Sequence, residues 1–438
     1  MFRAAILLAL LVTSCGPRTE PYRTAPRPDA AGFGSALPAG HTAYDNGSLA
    51  DVFVLLTHDY ENGDKRPSLQ RFEGTINIGM VGPGSENYRA FLDELVGEIV
   101  HRTGAPVTIG QAPHDLLIRF VPGEEFIPWT INQCFVTFGQ PDWASYRKDP
   151  EAFDGEDQTA PGPQAATGVF IPDTIEPYKI RECLLEEITQ ALGTANDLYG
   201  LAPSIFNDDN AHSWPTSLDY LMLRVLYDGQ LTSGLSREET RERALSVLNR
   251  INPQGRTAGP LPEIRQAAFR DIRKDMHGLL HRNANLERRH ATIKRLARQT
   301  RARFGDSLYD CTVSDLLARV SQSAEDTTAR ALYEDALALC EQVLGETDIR
   351  VALLRLDLAG LDLSEARHRR ARDEAESLIP IFLAHGLEDK VAQASLLRLF
   401  AAFKLDDPKW DDEYLEHAER WSAYAYGDDN DLTQKLRP

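Results

Sequence analysis

The sequence predicts an α+β domain followed by an all-α region. Three observations lead there. The 438 residues suit two or three domains. Between residues 70 and 230, short apolar runs bounded by glycine and proline take turns with longer runs of helical period. From residue 214 on, only the helical period is present.

Composition sets the outer limits. Hydrophobic residues make up 42% and charged residues 26%, ordinary values for a globular chain with a sizeable core. A formal net charge of −19 argues against nucleic acid as a partner for the whole chain.

The first residues, MFRAAILLALLVTSCGPR, place one basic residue, Arg3, before an apolar run and small residues. This predicts a secretory signal, too short to span a membrane. Val12-Thr13-Ser14-Cys15-Gly16 resembles a bacterial lipobox, which implies that Cys15 becomes the lipidated first residue of the mature protein. An ordinary signal peptide cleaved elsewhere is the alternative. By the same resemblance, Gly16 after the cysteine points to the outer membrane. Pro17, Pro21, Pro26, Pro28 and Pro38 then mark residues 16–50 as a tether that lifts the protein off the membrane.

The elements follow in order. GTINIGMVG (74–82) alternates and ends in glycine, so it reads as a strand. SENYRAFLDELVGEIVHRTG (85–104) places Phe91, Leu92, Leu95, Ile99 and Val100 at helical spacing. PVTIG, DLLIRFVP, CFVTFG and TGVFIP read as further strands, with an acidic Gly/Pro-rich surface loop at 151–166 before the last of them. A helix over 179–193 comes next. PTSLDYLMLRVLYD (215–228) opens another, with Leu218, Leu221, Met222, Val225 and Leu226 on one face. Residues 262–304 predict one or two long basic helices. ARALYEDALALCEQVLG, DIRVALLRLDLAGL and AQASLLRLFAAFKL are amphipathic and resemble helix-turn-helix repeats of the tetratricopeptide sort. The resulting division is a signal peptide at 1–15, a Pro-rich tether and entry segment at 16–69, the α+β domain at 70–230 and the all-α region at 231–438.

Without Cys15, Cys134, Cys183, Cys311 and Cys340 remain. An even count in an exported chain suggests disulfides. Pairing Cys134 with Cys183 and Cys311 with Cys340 keeps each bridge within one domain, one of three connectivities open to four cysteines.

CLLEEITQALGTAN (183–196) carries the candidate chemistry. On a helical wheel Leu184, Leu185, Ile188, Ala191 and Leu192 form the face that packs on the sheet. Cys183, Glu186, Glu187 and Gln190 fall on the opposite face, with Glu186 and Gln190 one turn apart. Gly193 ends the helix and Asn196 follows the turn. The frame resembles the metzincin zinc-peptidase motif H-E-x-x-H-x-x-G-x-x-H, here written E-E-x-x-Q-x-x-G-x-x-N. The order of strand, helix, several strands and a motif-bearing helix also resembles the zincin catalytic domain. By that resemblance Glu186, Gln190 and Asn196 hold the metal-ligand positions and Glu187 the place of the catalytic carboxylate. RECLLEEITQALG, NDLYGLAPSIFNDDN and LRVLYD resemble, more closely, a proteobacterial family known as the domain of unknown function numbered 2927, over roughly residues 70–230. Its members are often described as lipoproteins, in agreement with Cys15.

Zinc favours imidazole and thiolate, with carboxylate tolerated. One carboxylate and two neutral amides are a poor set for it, even with sulfur from Cys183. Amide oxygens suit calcium in a larger oxygen shell, for which Asp197, Asn207, Asp208, Asp209 and Asn210 are near in sequence, although an Asn/Asp-rich turn explains them as well. A polar helix face bonded to neighbouring loops is the plain structural alternative for Glu186, Glu187 and Gln190. His277 and His281 stand four residues apart but make an incomplete metal site. They lie in a basic stretch of net charge +8 that suits anionic phospholipid or an acidic surface, pairing with the acidic remainder of the chain being the simpler account. His212 and Ser213 lack a G-x-S-x-G elbow.

The expectation is therefore a zincin-like domain with a degenerate site, no cofactor, a membrane link through the lipid anchor and a peptide or protein partner in the cell envelope. The alternative is an active metallopeptidase with non-standard ligands, zinc or calcium, and Glu187 as base.

Overall fold

The computed structural model describes residues 20–28, 44–60, 65–127, 133–149, 166–207, 211–261, 264, 269, 272, 275, 286–323 and 328–430. The chain divides into two compact units, one of Cys15–Ile264 with Tyr426–Asp429 and one built on Arg265–Ala425.

The first unit is mixed α and β. Its five strands are β1 (Ile76–Val81), β2 (Val107–Ile109), β3 (Leu116–Val121), β4 (Phe135–Thr137) and β5 (Thr167–Pro172). The sheet order is β2-β1-β3-β5-β4. All neighbours are parallel except β4, which runs antiparallel to β5 with Val136 opposite Val169. Strand β5 is buried at every residue because both sheet faces are covered there. Its side chains alternate accordingly. Val169 and Ile171 join Ile118 and Phe120 in the main core. Phe170 points the other way, into an aromatic cluster with Phe126, Phe135, Trp143 and Tyr146.

The longer helices of this unit are α1 (Asn46–His58), α2 (Arg89–Thr103), α3 (Pro177–Ala191), α4 (Ser217–Leu226) and α5 (Arg237–Ile251). Helix α1 falls within the stretch 16–69 that the sequence reads as tether and entry segment. Its residues 46–50, read as the end of the tether, are folded into the unit instead, because Leu49, Phe53 and Leu56 at i, i+4 and i+7 are fully buried. Asp45 caps the helix by accepting from the Ser48 backbone N–H. Helix α5 lies beyond the expected boundary at 230. It belongs to this unit through a buried amide network in which Asn46 bonds to Asn249 and Asn252. In α2 the buried stripe is Leu92, Leu95, Val96 and Ile99, while Val100 is 39% exposed rather than inward.

The second unit is helical among its described residues: α6 (Leu286–Phe304), α7 (Leu308–Ser323), α8 (Ala329–Leu344), α9 (Ile349–Ser364), α10 (His368–Ala384), α11 (Glu388–Lys404) and α12 (Leu415–Tyr426). From α6 to α11 each helix packs on the next, and α9 also touches α11. A disulfide joins Cys311 of α7 to Cys340 of α8 inside an apolar cluster with Tyr333, Val351 and Leu354. Buried Asp362 of α9 gathers Arg330, Arg367 and Arg370 at 2.8, 2.7 and 3.0 Å, which ties α8, α9 and α10 together. In the basic helix α6, Ile293 and Leu296 are buried and Arg295, Arg298, Arg301 and Arg303 are exposed. Arg301 pairs with Asp310 at 2.7 Å. His277 and His281 lie outside the described residues. Among the described residues no helix is long and apolar enough to cross a membrane.

Candidate functional site

Helix α3 carries the motif. Pro177 supplies a preset φ at its first position. Leu184, Leu185, Ile188, Ala191 and Leu192 are wholly buried in the main core. The helix stops at Gly193, whose φ is +131°. A Cβ there would stand 3.1 Å from both the Gln70 carbonyl oxygen and Leu226 Cδ2, so glycine is required by conformation and by space.

The side opposite the core stripe is not a solvated polar face. Cys183, Glu187 and Gln190 are buried, and only Glu186 of this set is half-buried. A helical wheel separates the apolar side from the polar one without fixing burial, and α3 is covered nearly all round. Cys183 is joined to Cys134, with the Cα atoms 6.0 Å apart, so it has no thiolate to offer a metal. The bridge fastens the motif helix beside the entry to β4.

Two of the positions that match ligand places in the motif frame, Gln190 and Asn196, are hydrogen-bonded within the protein. The Gln190 amide donates to both carboxylate oxygens of Asp197, at 2.9 and 3.1 Å. The Asn196 amide, wholly buried, donates to the Leu55 carbonyl at 2.9 Å. Leu55 is in the last turn of α1, where carbonyls lack an intrahelical partner. Asn196 thus helps cap α1, and the Arg66 backbone N–H does the same for the His58 carbonyl at 2.8 Å. The turn between motif residues is braced as well. Thr194 donates to the Thr189 carbonyl at 2.9 Å, and Thr189 donates to the carbonyls of Leu185 and Glu186.

These donors do not fit zinc. Two are neutral amides, weak donors for zinc, and their nitrogens already hold buried hydrogen bonds within the protein. Among the described residues no group of three His, Cys, Asp or Glu side chains is arranged to hold a metal ion. For an oxygen-only site, Asp197 is taken by Gln190, and Asn207 accepts from the Gly200 backbone N–H at 3.0 Å. Asp208, Asp209 and Asn210 lie outside the described residues. Ser213 donates to Glu182 of α3 at 2.5 Å, which places its hydroxyl on a carboxylate one turn before Glu186.

Two residues matter here that sequence reasoning passed over. Asp219 is wholly buried and accepts from Ser204 Oγ, the Ile205 N–H and the Thr216 N–H. Burial pushes its pKa up to about 6 against those hydrogen bonds. Its signal was the T-S-L-D capping box at the start of α4. Arg66, 5% exposed, stacks on Tyr60 and Phe138 and reaches the Gly193 carbonyl. No local pattern announces such a residue.

Residues 46–245 match the family model described as "Protein of unknown function (DUF2927)". The match starts at the first residue of α1 and ends within α5, so it takes in the whole sheet and the motif helix. No curated protein matches the chain.

Proposed function

We propose that this is an exported, lipid-anchored protein of the bacterial cell envelope, on the outer membrane facing the periplasm. Its zincin-like domain no longer does metal chemistry and serves as a binding or scaffold module for a peptide or protein. The order of β1, α2, further strands and then α3 with the E-E-x-x-Q-x-x-G-x-x-N frame supports the zincin-like reading. The observation that carries the loss of chemistry is the engagement of Gln190 by Asp197 and of Asn196 by the Leu55 carbonyl. The ligand positions have become hydrogen-bonding braces between α3, its following turn and α1.

The test is metal content. The full chain, exported so that its disulfides form and free of any chelating tag, is analysed by elemental mass spectrometry. No stoichiometric metal is expected, and Glu187→Gln is expected to leave partner binding unchanged. Near-stoichiometric zinc would overturn the reading in favour of a metallopeptidase with Glu187 as base. Incorporation of labelled palmitate, abolished by Cys15→Ser, tests the anchor.

A further inference from the structure

Among the described residues after the expected lipid anchor, Glu20–Pro28 is not free chain. Glu20–Pro28 has no regular secondary structure, yet it is docked along the first unit. Pro21 packs on Gly84, where a Cβ would come within 2.9 Å of the Pro21 Cβ. Tyr22 is 7% exposed. The Arg23 carbonyl accepts from the Asp428 N–H at 2.8 Å and its own N–H donates to Asp429 at 3.1 Å, both acidic residues belonging to the same unit. The Arg27 guanidinium lies 5.4 Å from the Trp214 ring centre, in cation–π range.

This docking shortens the leash. A free coil over residues 16–50 would have an end-to-end distance of roughly 30 Å and would let the domain turn any face to the membrane. With the chain held at Glu20–Pro28, five residue steps separate Cys15 from the first docked residue, at most about 18 Å. The leash leaves beside Pro21, at the loop that follows β1, where Val81, Gly82, Pro83, Glu86 and Asn87 are exposed.

We propose that Glu20–Pro28 is a strap that orients the α+β unit on the lipid surface, with the Val81–Asn87 loop toward the membrane. The inference rests on lipidation at Cys15, which is part of the proposed function. It fixes the direction in which the remaining surface is offered to partners. Helix α2 supplies a ruler, because Asn87 precedes its first turn and His101 lies in its last, about 20 Å apart along the axis.

The experiment places a fluorophore on Asn87→Cys or on His101→Cys, one at a time, in the full lipidated chain. Each protein is mixed with phosphatidylcholine vesicles that carry a headgroup nitroxide quencher. Quenching severalfold stronger at 87 than at 101 is expected. Releasing the strap with Tyr22→Ser and Arg27→Ala together should remove the difference and open the Arg23–Thr24 bond to trypsin. Vesicle binding with equal or reversed quenching would overturn the strap while leaving the anchor intact. A difference that survives release of the strap would also overturn it. Failure of the lipid-bearing preparation to bind vesicles would remove the anchor and the orientation with it.

Discussion

The Gln190 amide nitrogen meets both oxygens of Asp197, at 2.9 and 3.1 Å, seven residues further along the chain. Both side chains are buried, so this is a charge-assisted contact with little help from water. Gln190→Ala would leave the Asp197 carboxylate buried with a lost donor and should cost about 2 kcal/mol. Asp197→Ala should cost a similar amount, and the double variant much less than the sum. Urea unfolding of the four proteins measures the coupling. Additive losses would show that the two residues do not act as a pair.

Asn196→Ala should destabilise by about 1–3 kcal/mol, because it orphans a carbonyl at the end of α1. Hydrogen exchange locates the effect. Faster exchange should appear in the last turn of α1, which is remote in sequence from the substitution. If the change stays within residues 190–200, the cap has no energetic role.

Asp219 predicts a pH dependence. Its folded pKa is raised to about 6 by burial, above the ordinary 3.8. An acid whose folded pKa is raised penalises the fold once it ionises. Stability should therefore fall as pH rises from about 4 to 6, by about 3 kcal/mol from this residue. Asp219→Asn can still accept from Ile205 and Thr216 and donate to Ser204, so it should fold and lose that slope. The comparison is urea unfolding of both proteins between pH 4 and 7. Parallel curves would show that Asp219 is not perturbed.

His58 predicts the opposite slope. Burial first, then the nearby Arg237 and Arg66, hold its pKa down at about 4, against the Arg66 backbone hydrogen bond and Asp59. The neutral ring meets Thr240 at 3.0 Å. A base with a depressed folded pKa supports the fold above its ordinary value of 6.5, and that support is lost as pH falls toward 4. The loss should be about 3 kcal/mol, and His58→Gln should be less acid-sensitive over this window. An unchanged acid profile in the variant would count against the buried neutral ring.

The two disulfides span 49 and 29 residues of sequence. Loop-closure entropy puts each at about 4 kcal/mol. Cys134→Ser with Cys183→Ser should lower stability by that order and loosen the start of α3. Cys311→Ser with Cys340→Ser should do the same for α7 and α8. Thermal unfolding of the two double variants beside the parent checks both, and a change below 1 kcal/mol would mean the bridges add little to the packing around them.

Much of the architecture was legible because it depends on local order. The strands β1 to β5 announced themselves by short apolar runs between glycine and proline, and α3 by its apolar stripe and the glycine that ends it. Helix α1 was harder, since Leu49, Phe53 and Leu56 follow a Pro-rich stretch that reads as tether. The candidate site was legible as a frame, and the identities at 186, 187, 190 and 196 stood in plain view. Their surroundings did not. Asn196 meets Leu55, 141 residues away in sequence, and Glu187 is buried by elements that no wheel of α3 contains.

The sequence by itself determined an α+β stretch followed by helices, the motif frame, and the absence of histidine from every ligand position in it. Only the tertiary structure decided that Gln190 and Asn196 are braces, that α1 and α5 belong with the sheet, and that Glu20–Pro28 is docked. The reason is physical. Periodicity and caps are set by neighbours within one or two turns, while burial and hydrogen-bond partners are set by whichever distant element packs across the face.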